Sequence, residues 1–175
     1  MCHWRLLVRL LLRPYRPAPL ARLPGTGAGD SVRARRGRRP RVDREKLLRR
    51  VMAETGLQSE ETADKATRSV LIALTGVLSR NEADDMASEL PREFKNLVYA
   101  HLTEAGTAKP VNWGTFLGRV QSDLGLNREE AEPITKGVFV ALSDAISPGE
   151  IEDVLAELPY DLQRILREAE VKSFP

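Results

Sequence analysis

Residues 79–91 read SRNEADDMASELP, and residues 147–159 read SPGEIEDVLAELP. Set against each other, Ser79 meets Ser147, Glu82 meets Glu150, Asp85 meets Asp153 and Glu89 meets Glu157, and both end on Leu-Pro. The apolar positions are Ala83, Met86, Ala87 and Leu90 in the first, and Ile151, Val154, Leu155 and Leu158 in the second. They recur at intervals of three and four, the period of an amphipathic helix rather than the alternation of a strand. The segment is therefore helical, and it is written twice.

The duplication extends outward from this stretch. Upstream, Glu61 pairs with Glu129, Ala63 with Ala131, Thr67 with Thr135, Val70 with Val138, Ala73 with Ala141 and Leu74 with Leu142. Beyond a one-residue gap, residues 44–57 match residues 113–126, with Leu48 against Leu117, Arg50 against Arg119, Val51 against Val120 and Gly56-Leu57 against Gly125-Leu126. Downstream, Phe94 falls opposite Leu162. Three segments that keep order and spacing point to an internal repeat.

Each copy reads as four helices. The first carries Leu47, Leu48 and Val51, or Phe116, Leu117 and Val120; Asp43 and Asn112 are its N-caps, and Gly56 and Gly125 end it. The second carries Ala63, Ala66, Val70, Ala73, Leu74 and Val77, or Ala131, Ile134, Val138, Ala141, Leu142 and Ala145, with alanines that admit a close neighbour. The third is the acidic stretch. The fourth carries Phe94, Leu97 and Val98, or Leu162, Ile165 and Leu166, with Pro91 and Pro159 in its first turn. Pro133, which stands where Lys65 stands in copy one, is expected to delay or kink its helix. The expected fold is all-α, a tandem duplication of a four-helix unit giving about eight helices behind a disordered basic arm. The expected organisation is an arm over 1–41, repeat one over 42–105, a linker over 106–111 and repeat two over 112–175.

Composition sets the outer limits. The chain has 175 residues, 42% apolar and 30% charged, which suits one or two small globular domains rather than a large enzyme or a disordered chain. A single cysteine excludes an intramolecular disulfide framework or a cysteine zinc site, and two histidines leave little for metal binding or a catalytic triad. No run of apolar residues is long enough to span a membrane as a helix. The net charge of +2 conceals a split: residues 1–41 hold 11 Arg and one acid, and the remainder holds 16 bases and 24 acids, so the arm carries +10 and the body −8. Four readings fit the arm. The short apolar run Leu6–Leu12 is interrupted by Arg9 and followed by no clear cleavage site, which makes it a poor secretory signal. The Arg-rich, acid-poor composition permits an organellar transit peptide. The cluster Arg33, Arg35, Arg36, Arg38, Arg39 and Arg41 permits a tail that grips nucleic acid or anionic lipid. The composition favours a fourth, translated GC-rich sequence upstream of a true start near Val42-Asp43.

The acidic stretch is the strongest candidate for chemistry. Glu82, Asp85 and Glu89 lie on one helix face, and Glu150, Asp153 and Glu157 repeat them. Helical carboxylate metal sites look like this but usually add a histidine three residues after a glutamate, and neither copy has one. Ser79 to Glu82 and Ser147 to Glu150 have the spacing of capping boxes, in which serine and glutamate satisfy helix N–H groups reciprocally. Asp85 and Asp153 sit near the positive end of the dipole, and Glu89 and Glu157 are expected on a solvated face. Capping thus accounts for the spacing without a ligand. His101 reads as a helix-end or packing residue. His3 and Cys2 lie in the arm with no partner that would make them reactive. Gly25, Gly27 and Gly29 lack the strand and the lysine of a phosphate loop. Trp113 and Phe116 read as packing residues at a helix start. No catalytic, cofactor-binding or metal residue is assigned.

The segments Leu-x-Arg-Val, Gly-Leu, Glu-x-Ala, Val-x-x-Ala-Leu and Glu-x-x-Asp-x-x-x-Glu-Leu-Pro, each present in both copies, resemble the bacterial family of domain of unknown function 2267 over about residues 43–170. The resemblance implies an all-helical fold and no activity, because that family brings no catalytic residues to carry over. A partial second likeness links residues 47–71 to the opening helix pair of small histone-like proteins that bend bacterial DNA. There the pattern departs into an acidic helix instead of basic β-arms, and a body of charge −8 repels a phosphate backbone. The expected function is a non-enzymatic helical scaffold or adaptor in the bacterial cytoplasm, with no cofactor and no membrane, that binds a protein partner or itself. The alternative is a nucleic-acid-associated protein acting through the basic arm, and a third reading is an enzyme or metal carrier that uses the paired acidic helices.

Overall fold

The computed structural model describes residues 43–102 and 111–173, all of whose regular structure is helical. Copy one supplies α1 (Arg44–Thr55), α2 (Glu60–Thr75), α3 (Arg80–Glu89) and α4 (Arg92–Leu102). Copy two supplies α5 (Trp113–Leu124), α6 (Arg128–Ala145), α7 (Pro148–Glu157) and α8 (Tyr160–Ser173). The arm over 1–41, with its Arg cluster, His3 and Cys2, lies outside the described residues. So does the expected linker apart from Val111, whose side chain is buried in the core.

Local chemistry sets the helix ends. Gly56 and Gly125 close α1 and α5 at φ 74° and 66°, the left-handed region where a Cβ would clash, and their N–H groups return to Met52 O and Gln121 O. Asn112 forms a full capping box with Thr115, and Asn127 forms one with Glu130. Asp43 holds the N-cap position of α1, but its side chain makes no cap bond. Pro91 and Pro159 stand just before α4 and α8, not within their first turns. There their carbonyls accept the first helical bonds, from Lys95 N and Gln163 N at 2.9 and 3.0 Å. Pro133 does not delay α6, which starts at Arg128 and runs through the proline to Ala145. The capping box at Asn127 starts the helix upstream, so the proline removes one interior bond rather than the entry.

The copies pack across each other. α1 lies more extensively on α6 of the other copy than on its own α2, and α5 lies on α2 as well as on α6. α2 meets α6, α3 meets α7, and α4 and α8 flank α2 and α6. This pattern is unchanged when the copies are exchanged, which describes an approximate twofold. It departs from symmetry at the fourth helices, because the α3–α4 contact is more extensive than the α7–α8 contact. One core results, filled by Leu47, Leu48, Leu71, Met86 and Phe94 from copy one and by Phe116, Leu117, Phe139, Leu142 and Leu155 from copy two. The buried hydroxyls of Thr67, Thr75 and Thr135 donate to carbonyls four residues back, at 2.7–2.8 Å, and so need no partner from another helix.

The tightest approach is at Gly137 on α6. A Cβ there would stand 2.8 Å from Thr55 Cγ2 and 3.0 Å from Glu54 O, so the last turn of α1 rests on bare backbone. The close approach at this point is thus made by a glycine, which was not among the small residues expected to allow one.

Candidate functional site

The acidic helices do come together. α3 and α7 pack side by side, and the C-terminal glutamate of each reaches the N-cap serine of the other. Glu157 accepts from Ser79 N at 2.7 Å and from Ser79 Oγ at 2.8 Å. Glu89 accepts from Ser147 N and, at 2.8 Å, from Ser147 Oγ. The helices are therefore antiparallel. Each helix N-terminus, where the dipole is positive and N–H groups lack partners, receives a carboxylate from the other copy.

This corrects two expectations. The capping boxes do not form within each copy. Ser79 Oγ does accept from Glu82 N at 3.3 Å, but Glu82 does not reach back, and Ser147 makes no cap bond to its own helix. Glu157 and Glu89 take the reciprocal role instead, because the twofold brings the end of one helix to the start of the other. Glu89, half-buried, and Glu157, which stays exposed as expected, are accordingly both engaged at the interface between the copies.

With their expected role taken, Glu82 and Glu150 turn toward each other. One Oε1 of each is buried and finds no N–H or O–H donor, and the two carboxyls lie within hydrogen-bonding reach. Two carboxylates in contact are both acceptors, so the pair needs one proton between them. Burial, then the charges of Glu82, Asp85, Glu89 and Asp153, pushes the Glu150 carboxyl up to about 7. Burial, then Glu157, Asp153 and Asp85, raises the Glu82 carboxyl as well. A proton held between the two carboxyls relieves this repulsion. Among the described residues, no group of three or more His, Cys, Asp or Glu side chains is arranged as a metal-ligand set.

The remaining candidates are tied into the structure. His101 is half-buried on α4, and its Nδ1–H donates to Leu97 O at 2.9 Å. Trp113 is 5% exposed and stacks on Phe116 with ring centroids 6.1 Å apart. Its backbone N–H donates to Asp161 Oδ2 at 2.6 Å, which fastens the start of α5 to α8. Asp64 on α2 lies between Arg44 and Arg68. Burial pushes its carboxyl up, but the bonds and charges of the two arginines prevail and hold it below the usual aspartate range. Arg50 on α1 lies between Glu54 at 2.9 Å and Asp144 at 2.6 Å.

Sequence reasoning missed the crossed serine–glutamate caps, the carboxyl pair and the Asp161 cap. A signal for the first was present: serine and glutamate stand one helix length apart in both copies, the spacing an antiparallel pair requires for mutual capping.

An all-helical body built from two copies of a four-helix unit, with its acidic helices paired on the twofold, defines the structural class. The family model described as "Uncharacterized conserved protein (DUF2267)" matches residues 44–165, so the chain belongs to that family. No curated protein matches the chain.

Proposed function

We propose that the protein is a non-enzymatic interaction scaffold that presents the paired α3–α7 face to a protein partner of basic surface chemistry. The observation that carries this reading is the crossed capping of the acidic helices. The repeated serine and glutamate of each copy are spent on holding the other, and the face left outside is acidic. Asp84, Asp85, Asp153 and Glu157 are exposed there, and Glu152, also exposed, is paired with Arg167 at 2.7 Å. A like-signed field on a rigid body favours partners of opposite charge and speeds their encounter. None of the described helices is long and apolar enough to cross a membrane.

The test uses the full chain and a variant with Asp84→Asn, Asp85→Asn and Asp153→Asn, which keeps every residue of the two caps, of the carboxyl pair and of the Glu152–Arg167 ion pair. Size-exclusion light scattering is combined with capture from native lysate at low and high salt. The expected result is a complex, hetero- or self-associated, that high salt and the neutralised variant both dissolve. A strict monomer that enriches nothing over the variant refutes the reading. The +10 charge of residues 1–41 supports a second reading, nucleic-acid association through the arm. Gel shifts of the full chain against residues 42–175 separate the two: equal, negligible binding by both ends the second.

A further inference from the structure

The approximate twofold pairs the surroundings of Arg50 on α1 with those of Arg119 on α5. Glu54 corresponds to Asp123, four residues on in each helix, and Asp144 near the end of α6 corresponds to Gly76 at the end of α2. Around Arg50 the set is complete: the guanidinium meets Glu54 and Asp144. Around Arg119 the position of the second carboxylate is a glycine. Among the described residues Arg119 makes no ion pair, and its Nη1 lies 2.8 Å from where a Gly76 Cβ would stand. The backbone does not demand glycine there, since φ is −76° and ψ is −5°. What remains is a hollow of about 290 Å³ whose walls include Ile72, Thr75, Gly76, His101, Arg119 and Asp123.

We infer that this hollow binds a small carboxylic acid, whose carboxylate takes on Arg119 the place that Asp144 takes on Arg50. The class of ligand follows from the template within the same chain: a carboxylate is what the equivalent guanidinium holds. Two features oppose an anion, the Asp123 carboxylate and the carbonyl end of α2. Both have counterparts around Arg50, in Glu54 and in the end of α6, and Arg50 still holds Asp144 at 2.6 Å. Asp123 is itself engaged by Ser69 Oγ–H at 3.0 Å, which fixes it against α2. Asp144 benefits from its tether, which gives a high effective concentration. A free acid needs further contact, and the side chain of Ile72 and the ring of His101, whose Nδ1 is already bonded to Leu97 O, line the hollow to supply it. A short acid of a few carbons suits a space of this size better than a bulky one.

The test is a titration of the full chain with sodium succinate, followed by ¹H–¹⁵N NMR at the Gly76 amide and at the Arg119 amide and Nε–H. Inorganic phosphate runs in parallel at matched ionic strength. The expected result is a saturable shift confined to these groups, with a dissociation constant of about 1 mM or tighter for succinate. Arg119→Gln removes the guanidinium from an exposed position and is expected to weaken binding by about tenfold or more. Gly76→Asp installs the carboxylate that the other copy carries and is expected to abolish binding while the fold persists. Absence of a saturable local shift with succinate overturns the inference. So does unchanged binding in Gly76→Asp, and so does phosphate binding as tight as succinate, which would make the hollow a site for another class of anion.

Discussion

Replacing Glu150 by glutamine removes one member of the carboxyl pair on the twofold and leaves an amide that can donate to Glu82. In the unfolded chain the Glu150 carboxyl titrates at 4.5, and in the folded protein at about 7. Between these values the folded state keeps a proton that the unfolded state has lost. Its contribution to stability is therefore complete below about pH 4.5 and is lost as pH rises to about 7. At 1.36 kcal/mol per unit, the full displacement corresponds to about 3 kcal/mol, and solvent reaches enough of the pair to screen this to about 1–2 kcal/mol. Glu150→Gln is neutral at every pH. It is expected to match the wild type near pH 4 and to be more stable by about 1–2 kcal/mol near pH 8. Urea unfolding followed by helix circular dichroism, at steps between about pH 5 and pH 8, reads this directly. The wild-type midpoint should fall across the window while the variant's stays nearly level. Carboxylates held below their usual range, such as Asp64 and Glu132, lose their contribution only at more acidic pH and do not mask the effect. A wild-type stability that rises with pH across this window, or a variant with the wild-type slope, refutes the shared proton.

Four further outcomes follow from the packing and the ion pairs. Gly137→Ala forces a Cβ against Thr55 and the Glu54 carbonyl and is expected to destabilise by about 1–3 kcal/mol in the same assay. Gly118→Ala, a helix-interior glycine with open space around it, should be neutral or stabilising by up to about 1 kcal/mol. Phe116→Ala empties a site at the centre of the joint core and is expected to cost about 3–5 kcal/mol, with loss of the near-ultraviolet signal of the stacked Trp113. Asp64→Asn leaves Arg44 and Arg68 without their carboxylate and is expected to cost about 1–3 kcal/mol at neutral pH. That deficit should shrink as the wild-type Asp64 is itself protonated, below the usual aspartate range, which acid-side unfolding curves will show.

Some features were legible in the chain alone because they rest on interactions within a few residues. Helix periodicity, the left-handed ends at Gly56 and Gly125, and the Asn112 cap depend only on neighbours in sequence. So does the duplication, which is a comparison of the chain with itself. The aromatic start of α5 could also be read as packing, since a tryptophan and a phenylalanine three residues apart bury too much carbon to be left in water. Charge separation between arm and body needed only counting.

The candidate site was not legible in this way. Ser79 and Glu157 are 78 residues apart, and Ser147 and Glu89 are 58 apart, so nothing local distinguishes a crossed cap from a capping box with the same residue types. The choice was made by the twofold, which sets the end of each acidic helix against the start of the other and leaves Glu82 and Glu150 only each other. The same holds for Gly76 and Arg119: their meaning appears once α5 lies on α2, opposite Asp144 and Arg50. Short-range hydrogen bonding and apolar periodicity determine which segments become helices. Which carboxylate meets which helix end is determined only when two apolar faces, neither sufficient alone, close into one core and fix the distance between residues far apart in the chain.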